Sequence, residues 1–198
     1  MSAPRPDALA SFVGAFERQV GNDTAEPADE AAILRDGRHL LAILIADDRW
    51  LPAALAEPDP DSYRIHLLHA DPARRFSVSA MVWGPGQGTP IHDHTVWGMV
   101  GVLRGRERCE EFGLPPRPGG PLRAGPVHEL APGDIDLVSP SIGDIHRVSN
   151  ALAEGVSVSI HVYGGDIASI VRSRYDAAGR ATPFVSPYAS CLLPERAC

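Results

Sequence analysis

The stretch GQGTPIHDHTVWGMVGVLRG, residues 86–105, carries two histidines, His92 and His94, one residue apart. Along a strand, residues i and i+2 project from one face. The pair can therefore aim two imidazoles at a single metal ion if PIHDH enters a strand, and Pro90 is compatible with a strand start. Two polar side chains on an exposed face are the other reading of the same spacing, and a His-x-His pair alone does not choose. Further along, SVSIHVYGGDI (157–167) alternates strictly. Val158, Ile160 and Val162 share one face; Ser157, Ser159, His161 and Tyr163 share the other. Turned inward, this hydroxyl, imidazole and phenol make a hydrogen-bonded row that fixes the tyrosine hydroxyl. Turned outward, they are an ordinary polar face.

The elements that must carry these residues are of two kinds. DALASFVGAFERQV spaces Leu9, Phe12, Val13 and Phe16 as one helical face, with Asp7 as its N-cap. DEAAILRDGRHLLAILIADDRWLPAAL adds one or two helices through Ile33, Leu34, Leu40, Leu41 and Leu44, with Gly37 marking a break between them. From about Tyr63 the texture changes. Phe76, Val78, Ala80 and Val82 alternate as in a strand with one buried face. Short β-rich runs follow, separated by Gly, Pro, Asn and Asp, the pattern of an all-β sandwich or barrel. LPPRPGGPLRAGP (114–126) reads as a hairpin loop. The expected organisation is a mainly-β domain over 63–198, with an N-terminal helical segment, 1–62, packed on it.

Composition narrows the function classes. The chain has 198 residues, 44% hydrophobic residues and a formal net charge of −7, which suits one globular domain. No run approaches the ~20 apolar residues of a membrane helix, and the N-terminus lacks a signal-peptide pattern. Scattered arginines argue against a nucleic-acid or anionic-membrane surface, which needs concentrated positive charge. Cys109, Cys191 and Cys198 have no metal-type spacing and are read as reduced thiols of a cytoplasmic protein.

Two segments together go further. The first is residues 86–105. The second is GDIDLVSPSIGDIHRVSN (133–150), with Gly133, the turn at Gly143, then His146 and Asn150. They resemble the paired motifs of the cupin superfamily, which implies a jelly-roll barrel holding a metal on His92, His94 and His146. The glutamate that often completes the first motif is replaced by Gly98. Three neutral imidazoles with open positions on one face resemble the facial sets that hold Fe(II) for dioxygen chemistry, and without a carboxylate the site suits an anionic ligand such as a thiolate.

With Ser159, His161 and Tyr163 added, the constellation resembles the thiol dioxygenases of the cysteine dioxygenase family, over about 63–174. The stretch from Phe76 to Gly105 is most similar to the bacterial branch that includes 3-mercaptopropionate dioxygenases. The resemblance implies Fe(II), O₂ and a small thiol carboxylic acid as substrate. Tyr163 would donate a hydrogen bond into the site, oriented by His161 and Ser159, and Arg172 would hold the substrate carboxylate. The sequence departs from the family twice. Gly98 stands where mammalian-type enzymes have a cysteine crosslinked to the tyrosine, so no crosslink is expected. Ile65 stands two residues after Tyr63, where relatives carry arginine or glutamine, so the pocket is expected to lack that polar anchor. Trp83 or Trp97 is a candidate pocket wall. Arg64, Arg174, His39, His66, His69 and His128 are assigned to surface or core hydrogen bonding. The rival reading is a non-redox metal-binding cupin: a small-ligand module, or a zinc or manganese isomerase.

Overall fold

A computed structural model describes residues 7–21, 29–117 and 120–192. Cys198, and Pro118 and Gly119 of the Pro/Gly-rich loop, lie outside the described residues.

Two helices come first, α1 (Asp7–Val20) and α2 (Glu30–Ile45). Phe12 and Phe16 of α1 pack with Ile33, Leu34, Leu41 and Leu44 of α2. Asp7 is already helical, in the first turn rather than at the cap. The cap that the structure does show is Asp29, whose side chain accepts from the Ala32 amide at 3.2 Å. Gly37 does not break α2. The helix runs straight through it, because a Cβ there would stand 2.7 Å from Phe16 Cε2 and 2.9 Å from Met99 Cε. The glycine marks a close approach between α2, α1 and the sheet beneath.

Twelve strands follow: β1 (Arg64–Ala70), β2 (Ser77–Trp83), β3 (Ile91–His92), β4 (Gly98–Arg104), β5 (Glu107–Gly113), β6 (Arg123–Leu130), β7 (Ile135–Val138), β8 (Ile145–Asn150), β9 (Ser157–Tyr163), β10 (Arg172–Tyr175), β11 (Ala181–Phe184) and β12 (Ser190–Cys191). They form two six-stranded sheets, β12-β1-β2-β9-β4-β7 and β11-β10-β3-β8-β5-β6. The connectivity is that of a rolled ribbon. β5 and β6 are the hairpin at its tip, and outward from it β4 pairs β7, β3 pairs β8 and β2 pairs β9, all antiparallel. Successive pairs fall alternately in the two sheets, which is a jelly roll. Its sheets face each other with open edges rather than closing into a continuous barrel.

The first sheet is covered on both sides. Val78, Ala80, Val82, Val158, Ile160 and Val162 pack under the helices. The alternate residues of β2 and β9 point to the space between the sheets and are buried as well. The sequence expectation of one buried face was therefore incomplete for these strands. No helix among the described residues is long and apolar enough to cross a membrane. Cys109 is a buried free thiol, whereas Cys191 is disulfide-bonded, which corrects the expectation of three reduced thiols.

Candidate metal centre

His92 ends β3 and sits directly across from His146 of β8. The chain then leaves the strand, and His94 swings into the same space from the turn before β4. The three ring centroids are 4.8, 4.9 and 4.8 Å apart, close to an equilateral triangle. One ligand nitrogen from each lies within 4.8 Å of the others. His94 and Tyr163 are stacked, with centroids 5.3 Å apart.

The second nitrogen of each imidazole is already engaged. His92 Nδ1 lies 3.1 Å from the Pro90 carbonyl oxygen, His94 Nδ1 3.0 Å from Asp144 Oδ1, and His146 Nδ1 3.6 Å from Cys109 Sγ. Such partners fix ring orientation and leave Nε2 as the free donor to a metal. His94 Nε2 is buried with no hydrogen-bond partner. Burial pushes His92 down to about 4, and His94 and His146 well below their ordinary value. Near neutral pH all three are uncharged, as a divalent cation requires. The donor set fits such an ion.

Asp144 was missed in the sequence. Its Oδ1 also accepts from the His94 amide and its Oδ2 from the Thr95 amide, both at 3.0 Å. It thereby holds the turn at Thr95, whose φ is 62°. Its only sequence signal was its place two residues before His146. Asp93, between the two motif histidines, accepts from the Ser173 amide at 2.7 Å and from the Tyr175 hydroxyl at 2.8 Å. Those bonds strap the end of β3 to β10.

On the facing sheet, Ser159, His161 and Tyr163 point inward as one connected row. Ser159 Oγ is 2.8 Å from His161 Nε2, and His161 Nδ1 is 2.8 Å from the Tyr163 hydroxyl. The Trp83 indole donates to Ser159 Oγ at 3.2 Å. Burial holds His161 down at about 3 and pushes the Tyr163 phenol up, so both are neutral. Beyond Ser159 lies another residue not singled out in the sequence, Glu107. It is fully buried, and its Oε1 accepts from Ser157 Oγ at 3.1 Å.

Arg172, the expected carboxylate anchor, lies in a strand. It opens β10, buried at 5% exposure. Its guanidinium donates to Ser186 Oγ at 2.8 Å and lies 4.6 Å from the Phe184 ring centroid, while its Nε has no partner. The cavity shared by His92, His146, His161, Tyr163 and Arg172 is also lined by Tyr63, Ile65, Trp83 and Ser186. Trp83 is thus a wall, and Trp97 is not, since it packs with Phe16 beneath the helices. Ile65 is apolar cavity lining, but the pocket is not bare of polar groups, because Tyr63 and Ser186 line it as well. Gly98 pairs with Tyr163 across the sheet, and a Cβ there would sit 2.6 Å from the tyrosine ring.

The family profile for cysteine dioxygenase type I matches residues 45–177. The chain belongs to the cysteine dioxygenase type I family. Among curated relatives, the cysteine dioxygenase type 1 proteins of Rattus norvegicus and Homo sapiens are each 29% identical over 105 residues, 52% of this chain and 52% of theirs. The chain spans about half the length of the curated relatives it matches. A cupin superfamily protein from Desulfitobacterium hafniense aligns at TM-score 0.44 and 16% identity, over 61% of this chain and 94% of that one. A protein with a double-stranded β-helix domain from Klebsiella pneumoniae aligns at TM-score 0.45 and 18% identity, over 68% of this chain and 92% of that one. The family's region encloses the three histidines, the Ser159–His161–Tyr163 row and Arg172.

Proposed function

We propose that the protein is an Fe(II)-dependent thiol dioxygenase that oxidises a small mercapto-carboxylic acid, of the 3-mercaptopropionate kind, to its sulfinic acid. The overall change, R–SH + O₂ → R–SO₂H, puts both oxygen atoms on sulfur and needs no outside reductant. His92, His94 and His146 would hold the Fe(II), which would supply the chemistry that makes a thiolate and O₂ reactive towards each other at neutral pH.

The observation that carries the substrate class is Arg172. It is a buried guanidinium facing the histidine cavity, with no carboxylate partner among the described residues. An unpaired buried cation is costly, and a planar carboxylate matches the guanidinium fork. Arg172 would orient the acid end of the substrate, with Ser186 holding the guanidinium in place. Tyr163 would present its hydroxyl to the reacting end, positioned by His161 and Ser159. Ile65, Trp83 and Phe184 would exclude water. A buried ammonium beside Ile65 would be left poorly paired, at on the order of 1–3 kcal/mol, so amine-free mercapto acids should be preferred over cysteine.

The test is O₂ consumption by iron-loaded protein with 3-mercaptopropionate, mercaptosuccinate, cysteine and mercaptoethanol, in wild type and Arg172→Ala. Amine-free acids should lead cysteine by about tenfold. The variant should raise KM for the acids while scarcely changing mercaptoethanol. Equal losses on charged and neutral thiols remove Arg172 from this role. Bound zinc or manganese with no response to any thiol overturns the reading altogether.

A further inference from the structure

Glu107 is a carboxyl with 0% exposure, set where β5 begins, between the sheets. Burial pushes it up to about 7, against the opposing pull of Ser159, Ser157 and Trp83 beside it. Its Oε2 has no hydrogen-bond partner. The titratable groups that bear on it are Asp136 of β7, which raises it, Cys109 of its own strand, and the Tyr163 phenol; β9 otherwise presents it with the hydroxyls of Ser157 and Ser159, and β2 with the Trp83 indole. It makes no salt bridge among the described residues. A buried acid here carries a desolvation cost that an apolar side chain would avoid.

What the carboxyl adds is a direction for the row beside it. An ionised Glu107, with Oε2 otherwise unpartnered, would accept a hydrogen bond from the Ser159 hydroxyl beside it. Ser159 Oγ is then left to accept from His161 Nε2–H, and His161 Nδ1 accepts from the Tyr163 hydroxyl. The phenol oxygen faces the cavity as an acceptor. When Glu107 is protonated it donates to Ser159, and every bond reverses. Ser159 donates to Nε2, Nδ1–H donates to the phenol oxygen, and Tyr163 donates into the cavity.

We propose that Glu107 is the proton store of the site, taking up the thiol proton of the substrate through Tyr163, His161 and Ser159. The role of the thiol rests on the dioxygenase reading; the coupling of Glu107 to His161 does not. The thiol S–H bond breaks and its proton goes to the Tyr163 oxygen. The Tyr163 proton passes to His161 Nδ1, the Nε2 proton to Ser159 Oγ, and the Ser159 proton to Glu107. Each intermediate atom receives one proton and gives one up, so the net change is R–SH + Glu107–COO⁻ → R–S⁻ + Glu107–COOH. The transfer leaves Tyr163 as a donor at the moment the anionic sulfur is in place. Glu107 is a positioning residue, acting only through the row.

The experiment counts protons. In weakly buffered anaerobic solution at pH 8, iron-loaded wild type should bind 3-mercaptopropionate with almost no proton released. Glu107→Gln, and Ser159→Ala, which cuts the row but keeps the acid, should each release about one proton per thiol bound. Metal content and thermal midpoint establish that the variants are folded. A second arm needs no thiol: in zinc-loaded, ¹⁵N-histidine-labelled protein, the His161 tautomer should exchange near pH 7 in wild type and stay fixed with Nδ1 protonated in Glu107→Gln. Full proton release by wild type, or none by the variants, overturns proton storage. A His161 tautomer that ignores pH in wild type overturns the coupling. If no thiol binds at all, it is the dioxygenase reading that fails, and with it the thiol step, while the tautomer arm still decides the coupling.

Discussion

Asp144 spends both carboxylate oxygens on three groups at once: the His94 ring, the His94 amide and the Thr95 amide. Asp144→Asn keeps the shape but turns one acceptor into a donor that faces an amide N–H. Metal affinity should fall about 10–100-fold with little change in the fold, as read by chelator competition and circular dichroism. An unchanged affinity would make Asp144 a turn residue only. At Tyr163 the expectation is different. Tyr163→Phe should keep metal and substrate affinity, because its ring still stacks on His94, but lose the one hydroxyl the row orients. A loss of roughly 10²–10³ in turnover is expected for one oriented donor at a preorganised site, measured as thiol-dependent O₂ uptake and product yield together. Neither Asp144 nor Glu107 could be read from sequence, because their partners are 50 residues away in each case. The Ser159–His161–Tyr163 row was legible because its geometry is local, set by two-residue steps along β9. His92 and His94 were legible as a closely spaced pair, although only His92 lies in a strand and His94 reaches the cluster from the turn that follows.

At the scale of elements, the same distinction decides what was foreseen. β2, β4, β5, β8 and β9 announce themselves by alternation and bounding turns. β3, β10, β11 and β12, two to four residues each, carry too few positions for any period. Gly37 was misread because its reason is tertiary. Alanine is the better helix former by about 1 kcal/mol, yet Gly37→Ala drives a methyl into Phe16 and Met99. Overpacking of this kind costs about 1–3 kcal/mol. The variant should therefore unfold at lower urea than wild type, with the same slope; a midpoint equal to or above wild type would mean that α2 and β4 separate freely.

For the whole molecule, the buried titratable groups set opposing pH dependences. Glu107 is raised from 4.5 to about 7, so the folded state keeps a proton that the unfolded chain releases. Its contribution is complete below pH 4.5 and is lost as pH rises to 7. His92, lowered from 6.5 to about 4, acts in the other sense: its contribution is present above pH 6.5 and is lost as pH falls to 4. Metal-free wild type should accordingly lose stability on acidification from pH 7, with Glu107 blunting the loss. Glu107→Gln removes that compensation. Its stability relative to wild type should drop by roughly 3 kcal/mol between pH 8 and pH 5, read from urea midpoints at intermediate pH values. Parallel curves would mean that Glu107 titrates in the folded protein as it does in the unfolded one.

The double burial of β9 bears on how reliably the chain folds. A strand with one wet face tolerates transient mispairing, because a one-residue slip there merely trades apolar for polar against water on one side. In β9 a slip of one position would thrust Ser159, His161 and Tyr163 under Phe16 and Leu41, and deliver Val158, Ile160 and Val162 towards the imidazoles of His92, His94 and His146. Both sides of the error are penalised together, hydrogen bonds lost on one and apolar packing lost on the other. The strand that carries the chemistry is thus also its own proofreader, and a misregistered chain should never persist as a well-packed, inactive impostor.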